Sequence, residues 1–389
     1  GGRVRVTAAL VDVRNQVQLW SESYDREARD VLEVQGSVAR AIASVLSLAL
    51  APMDQARLAR ARSVRPEAYE AYLKGLYFWN RSTVPDEWKA VRSFEAAIEA
   101  DPSFAAAHAG LASSYQVLAV IGGLAPRDMP PKSRAALVRA LELDADSVEA
   151  HTASGWASHQ FEWEFAEAER HFQRALVLDP NHATARHGLS LYLAAMGRLD
   201  EGLDELRKAR EIDPLSNVVE TDVGNLLYYA RRYGAAEAAC QKVLGREARF
   251  APAHYNLFRI HAAQGRHEAA VEAWKASMAL VHGDDLTPFL NALQEAHRTR
   301  GWTGYLRESL QWVLAEQAKS GGAAYSLADL YARLGDRRQS LDWLEKAVAE
   351  RNYHMAYLKV DPVFDPLRSE ARFQQVLRQV GLEPAATTR

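Results

Sequence analysis

From His182 to Val281 the pattern of apolar and polar positions repeats itself at a fixed step. Pro180 and Pro214 stand 34 residues apart, and Gly197 and Gly265 stand 68 apart, twice that interval. Leu189, Val223 and Leu257 fall in line at the same step, as do Leu206, Cys240 and Trp274, and Ala209, Val243 and Ser277. Within each unit the apolar residues carry helical spacing, which gives a helix one apolar face. The pattern predicts pairs of antiparallel helices, each with a face that it buries only by stacking on the next pair. Gly155, Ala168, Ala175, Gly188, Gly224 and Ala236 let the helices approach closely, and Phe172, Leu189, Leu206 and Trp274 fill the space between them. Gly197, Gly265 and Gly335 each follow a first helix, where a left-handed residue turns the chain without strain.

The period of 34, the dipeptide Gly188-Leu189 and the run 209–214 (Ala-Arg-Glu-Ile-Asp-Pro) resemble the tetratricopeptide repeat family. The resemblance implies an all-α superhelical solenoid of antiparallel helix pairs over residues 66–358, with about eight pairs. The seventh, 285–319, is degenerate, with Pro288, Asn291 and Glu295 at consensus positions. Residues 359–389 are expected to form a C-terminal capping helix and tail.

The N-terminal stretch has a different period. Residues 3–12 and 17–22 alternate apolar and polar, which predicts a β-hairpin, followed by an amphipathic helix from about Asp30 to Leu50. Two strands alone rarely bury enough to be stable, so this hairpin is expected to be the least stable part. The run from Val4 through Leu19-Trp20-Ser21 to Tyr24-Asp25-Arg26 is similar to the end of a TolB-amino-terminal-like domain. Residues 1–52 are therefore expected to be a truncated α/β segment whose other strands lie upstream, and 53–65 a connector.

Composition narrows the chemistry. Apolar residues at 48% with 25% charged are too apolar for disorder, and a net charge of −3 with scattered basic residues predicts no nucleic-acid partner. The single cysteine, Cys240, excludes an internal disulfide and argues against a cysteine-ligated metal. No apolar run approaches the ~18 residues of a membrane span. No Walker loop, dinucleotide fingerprint, Gly-x-Ser-x-Gly elbow or His-Glu-x-x-His motif is present, so no catalysis and no cofactor are expected. His254, His261 and His267 invite a metal reading, yet 254 and 261 occupy repeat positions that hold core aromatics and no third ligand is in register. Glu162, Glu164, Glu167 and Glu169 read as a charged outer face, and Cys240 as a packed thiol.

Function is therefore expected from the surface. In the family that the repeats resemble, the first helix of each pair lines a concave groove that receives a peptide or helix. By register the groove positions are Trp156 and His159, His187 and Leu191, Thr221, Asn225 and Tyr228, Tyr255 and Arg259, and Tyr325 and Asp329. Aromatic, Arg and amide side chains there suit partner recognition. Asn225 and Arg259 echo the family's dicarboxylate clamp, but its lysines are missing. The expectation is a non-catalytic protein-protein interaction scaffold, the sensor or interaction region of a bacterial cytoplasmic transcriptional or signalling regulator. The alternatives are the regulatory tail of a nucleotide cyclase or protein kinase, and an assembly scaffold for envelope or secretion complexes.

Overall fold

Several helices begin where the sequence supplies a capping acceptor. Thr83 Oγ1 accepts from the Asp86 amide at 3.3 Å, and Ser216 Oγ from the Val219 amide at 3.3 Å. Asp336 Oδ1 accepts from the Gln339 amide at 3.0 Å, and the His182 ring Nδ1 from the Ala185 amide at 3.2 Å. Each satisfies an amide that the first helical turn leaves without a partner.

The computed structural model describes residues 3–12, 17–27, 37–38, 41–42, 64–81 and 83–382. Of the helix expected from Asp30 to Leu50, only 37–38 and 41–42 are described, and these are helical; the connector 53–63 and the last residues, 383–389, lie outside. The strands are β1 (Arg3–Asp12) and β2 (Val17–Glu27). The helices that follow are α1 (Pro66–Trp79), α2 (Val84–Ala100), α3 (Ala105–Val120), α4 (Met129–Leu143) and α5 (Val148–Ala157). Next come α6 (Phe165–Leu178), α7 (Ala183–Ala195), α8 (Leu199–Ile212), α9 (Asn217–Tyr229) and α10 (Tyr233–Arg246). The series closes with α11 (Ala251–Ala263), α12 (His267–His282), α13 (Thr287–Ser320), α14 (Ala324–Leu334), α15 (Arg337–Ala349) and α16 (Ala371–Val380). The architecture is an all-α solenoid of antiparallel helix pairs with a small two-stranded sheet at the N-terminus.

The chain divides into two compact units, Gly1–Ile121 with Ala135–Ala150, and Gly122–Arg134 with His151–Arg389. In the first, β1 and β2 pair antiparallel, Arg3 opposite Glu27 and Leu10 opposite Trp20, with a register shift between Leu10 and Val11. The hairpin forms, and β2 runs five residues beyond the expected Glu22, to Glu27. In the helices of this unit, the Phe94 ring of α2 fills the space between Gly75 of α1 and Gly110 of α3. A Cβ at either glycine would lie 2.5 or 2.6 Å from that ring.

The second unit uses the same device. Phe172 of α6 sits between Gly155 of α5 and Gly188 of α7, where added Cβ atoms would lie 2.6 and 2.3 Å away. On α10 Cys240 stands where the other pairs place a large side chain, 2.9 Å from a Cβ built on Gly224. It is fully buried, and burial pushes its thiol up to about 12, so it is a packing residue. Across the stretch 285–319, expected as a degenerate seventh repeat, α13 breaks into two helical pieces at Gly301 (φ 63°, ψ −163°).

Gly197, Gly265 and Gly335 have φ of 85°, 72° and 81°, as the turn after a first helix demands. The same step of 34 also lands on Trp163 and Arg231, which hold φ of 57° and 59° without being glycine. Side chains pay for that conformation in strain, so a second reason must keep them there.

Candidate functional site

The groove of the second unit is occupied by the chain itself. After α15 the chain enters two 3-10 turns, Tyr353–Tyr357 and Pro362–Leu367, before α16. Asn352 Oδ1 caps the first through the His354 amide at 3.0 Å, and Asp361 Oδ1 the second through the Val363 amide at 3.2 Å. The segment 351–368 runs against first helices and their turns. Met355, Ala356, Leu358 and Phe364 are fully buried, and Leu367 nearly so. Each large apolar side chain buried in this way contributes roughly 1.5–3 kcal/mol.

Polar contacts fix its register. Arg351 donates to the Glu162 carbonyl at 3.3 Å, and its guanidinium lies 4.5 Å from the centre of the Trp163 ring. The π-helical turn Ser158–Glu162 at the end of α5 carries His159, whose Nε2 is 3.1 Å from the Tyr357 hydroxyl. Tyr357 stacks on Tyr229, with ring centres 5.7 Å apart and planes at 14°. Lys359 Nζ donates to the Met196 carbonyl at 3.1 Å, beside the turn at Gly197. Arg231 grips Asp365 through two nitrogens at 2.5 and 3.2 Å. Thus the left-handed turn positions at 163, 197 and 231 all lie along this segment, and the two that are not glycine hold it with their side chains.

Asp361 is the focus. Its carboxylate accepts from Arg259 Nη2 at 3.0 Å, the Tyr325 hydroxyl at 3.0 Å and the Tyr228 hydroxyl at 3.3 Å, joining α11, α14 and α9. Burial alone would raise the Asp361 pKa, but Arg259, the Val363 amide and Tyr325 together bring it below the ordinary value. Burial also opposes the charge on Arg259, which Tyr229, Asp361 and Tyr228 outweigh, and its pKa stays well above the ordinary one. The guanidinium lies 4.2 Å from the Tyr228 ring centre, and its Nη1 donates to Asn225 Oδ1 at 2.8 Å. His159 is buried without a charged neighbour, and desolvation lowers its pKa to about 3, so it meets Tyr357 as a neutral ring.

The structure sorts the groove positions read from the sequence. His159, Leu191, Tyr228, Arg259 and Tyr325 are buried, and of these His159, Tyr228, Arg259 and Tyr325 bond to the chain's own segment. They were expected to present an open face to a partner; instead that face is covered in cis. Thr221 is also buried, its hydroxyl turned back to the Asn217 carbonyl at 2.7 Å. Asp329 pairs with Arg333 at 2.6 Å, and Tyr255 packs against Trp274 and Phe258. Trp156, His187, Asn225, Tyr255 and Asp329 remain partly exposed, and the first three are linked along one lip, His187 and Asn225 through Asp222. There the Trp156 and His187 rings meet edge to face at 5.3 Å, and Nε2 of His187 lies 2.7 Å from Asp222 Oδ2. Asp361 and Tyr357 were missed, because they belong to no repeat. The signals that could have found them were the non-glycine residues Trp163 and Arg231 at turn positions that elsewhere hold glycine. The histidines raised as metal candidates are apart in role. His254 bonds to the Ala248 carbonyl at 3.0 Å, His261 is buried, and His267 stacks on Trp302 at 4.5 Å.

Family models for the tetratricopeptide repeat match residues 164–217, 222–278 and 322–354. These segments are tetratricopeptide repeats. They include α6 to α8, α10, α11, α14 and α15 and most of α9 and α12, and so take in Tyr228, Arg259 and Tyr325. Putative adenylate cyclase 3 of Rhizobium meliloti (strain 1021) is 32% identical over 109 residues, 28% of this chain. The match spans only 19% of that protein's length. Among solved structures, the human IFIT1 dimer with m7Gppp-AAAA has a TM-score of 0.53 at 17% identity, covering 82% of this chain and 77% of its own. PilW, a type IV pilus biogenesis factor, has a TM-score of 0.43 at 20% identity, covering 56% of this chain and 94% of its own. The likeness to IFIT1 is of fold alone. Among the described residues no helix is long and apolar enough to cross a membrane.

Proposed function

We propose that this chain is a non-catalytic tetratricopeptide scaffold, the interaction region of a bacterial cytoplasmic signalling or transcriptional regulator. The observation that carries the reading is the array of helix pairs, in which Arg259, Tyr228, Tyr325 and His159 hold the helices and the segment 351–368 together. With the segment seated, the partner surface lies at the lip where Trp156, His187 and Asn225 stay accessible, and a folded protein surface fits it better than a peptide threaded along the groove. The test is capture of partners by the whole chain and by a Trp156→Ala, His187→Ala variant with an unchanged circular dichroism spectrum. A partner bound by the wild type and lost by the variant supports the lip; equal binding by both removes it.

The match to a putative adenylate cyclase favours one alternative, that such repeats regulate a nucleotide cyclase. Cyclic AMP formation by the complete reading frame, with and without residues 66–382, decides between them. A rate that changes on deletion supports the cyclase reading, and no cyclase activity in either form rejects it.

A further inference from the structure

We infer that residues 351–368 are a permanent ligand of the chain's own groove: a strap that fixes the mutual positions of the repeats it crosses and closes their groove to external peptides. Three independent observations converge on it. First, four side chains from separate first helices and the turn after α5, His159, Tyr228, Arg259 and Tyr325, bond to only two residues of the segment, Tyr357 and Asp361. Second, the strained turn positions Trp163 and Arg231 meet Arg351 and Asp365, so the departure from glycine coincides with the strap at both places. Third, the segment's apolar residues Met355, Leu358 and Phe364 are fully buried.

Full burial is what distinguishes a strap from a displaceable latch. A competing peptide would have to replace an apolar anchor set and a desolvated ion pair together, and in the meantime leave Arg259 charged and unpaired among Tyr228, Tyr229 and Tyr255. A sensor loop or lid is drawn instead from segments with few buried contacts. The strap also ties distant parts of the sequence. In an ordinary array each repeat contacts only its neighbours, so the opening of one is felt weakly by the third or fourth along. Here Asp361 bonds to α9, α11 and α14 at once, and the array opens as a unit. This inference stands whatever the scaffold binds.

Amide hydrogen exchange on the full chain tests it, together with a fluorescently labelled 351–368 peptide as the external probe. In the wild type, amides of 353–367 are expected to exchange in the same slow step as 217–229 and 251–263, and the labelled peptide is expected to show no change in anisotropy. Strap amides exchanging about a hundred-fold faster than those helices, or saturable binding of the peptide to the intact chain, would overturn the inference and make the segment a latch. In Asp361→Asn, exchange is expected to quicken about ten-fold or more in the strap and in 217–229, 251–263 and 324–334 together. Acceleration confined to the strap would show that it does not hold the repeats. Asp342→Asn, which loosens a partly exposed pair with Arg372 away from the strap, serves as the control and is expected to change none of these. If Asp361→Asn does not fold, Tyr325→Phe removes a single hydrogen bond and is read in the same way.

Discussion

Arg259 and Asp361 are 102 residues apart in the sequence and 3.0 Å apart in the fold, both almost wholly removed from water. Removing one partner of a buried pair leaves the other charge uncompensated, which costs more than the pair's net contribution. Asp361→Ala is therefore expected to lower stability by roughly 3–5 kcal/mol in chemical denaturation. Arg259→Met, Asp361→Leu together should cost less than the Asp361→Ala single change. Additive losses would contradict this account. Because the folded pKa of Asp361 lies below its unfolded value, its contribution is present above the ordinary carboxylate range and is lost as pH falls through the folded pKa.

Glu87, at the start of α2, gives the opposite sign. It is fully buried, and burial pushes its pKa up to about 8 against the opposing effect of the Ser114 hydroxyl. The unfolded chain ionises it near 4.5. Its contribution is therefore full below that pH and is lost as pH rises toward the folded value. Glu87→Gln should gain stability relative to the wild type as pH moves from 5 to 8, measured by denaturation at each pH. A gap that stays constant would refute the assignment.

Gly188 faces the Phe172 ring so closely that a Cβ would lie 2.3 Å from it. Gly188→Ala is expected to cost about 1–3 kcal/mol by overpacking. Combined with Phe172→Leu it should cost less than the sum of the two changes, since the smaller side chain gives the new methyl room. A double-mutant cycle measures that coupling.

Arg231 sets backbone strain against an exposed ion pair. The pair with Asp365 is worth ~0–1 kcal/mol, while a left-handed side chain costs about 1–2 kcal/mol. Arg231→Gly is then expected to be near neutral, and Arg231→Ala about 1 kcal/mol less stable than Arg231→Gly, because both lose the pair and alanine keeps the strain that glycine relieves. Equal thermal unfolding of the two variants would mean that strain is not what the position costs.

Cys240 is expected to resist a thiol reagent at pH 7 until the chain unfolds, since burial both hides the thiol and holds it protonated. Rapid labelling of the native chain would place it in an accessible pocket.

The sequence by itself determined the repeat. The step of 34, the small residues at 155 and 188 and the glycines at 197, 265 and 335 each act within one helix pair or between neighbours. Such short-range geometry is written directly into spacing. The hairpin was legible for the same reason, because strand alternation is local. What only the tertiary structure decided is what fills the groove. Tyr228, Arg259 and Tyr325 read identically in sequence whether they face water, a partner or residues outside their own repeat. Periodicity reports which face of a helix a residue occupies, and it carries no information about what that face meets. Asp361, in no repeat, is placed by chain connectivity, and its charge is tolerated only because Arg259 and two tyrosine hydroxyls arrive from three separate helices.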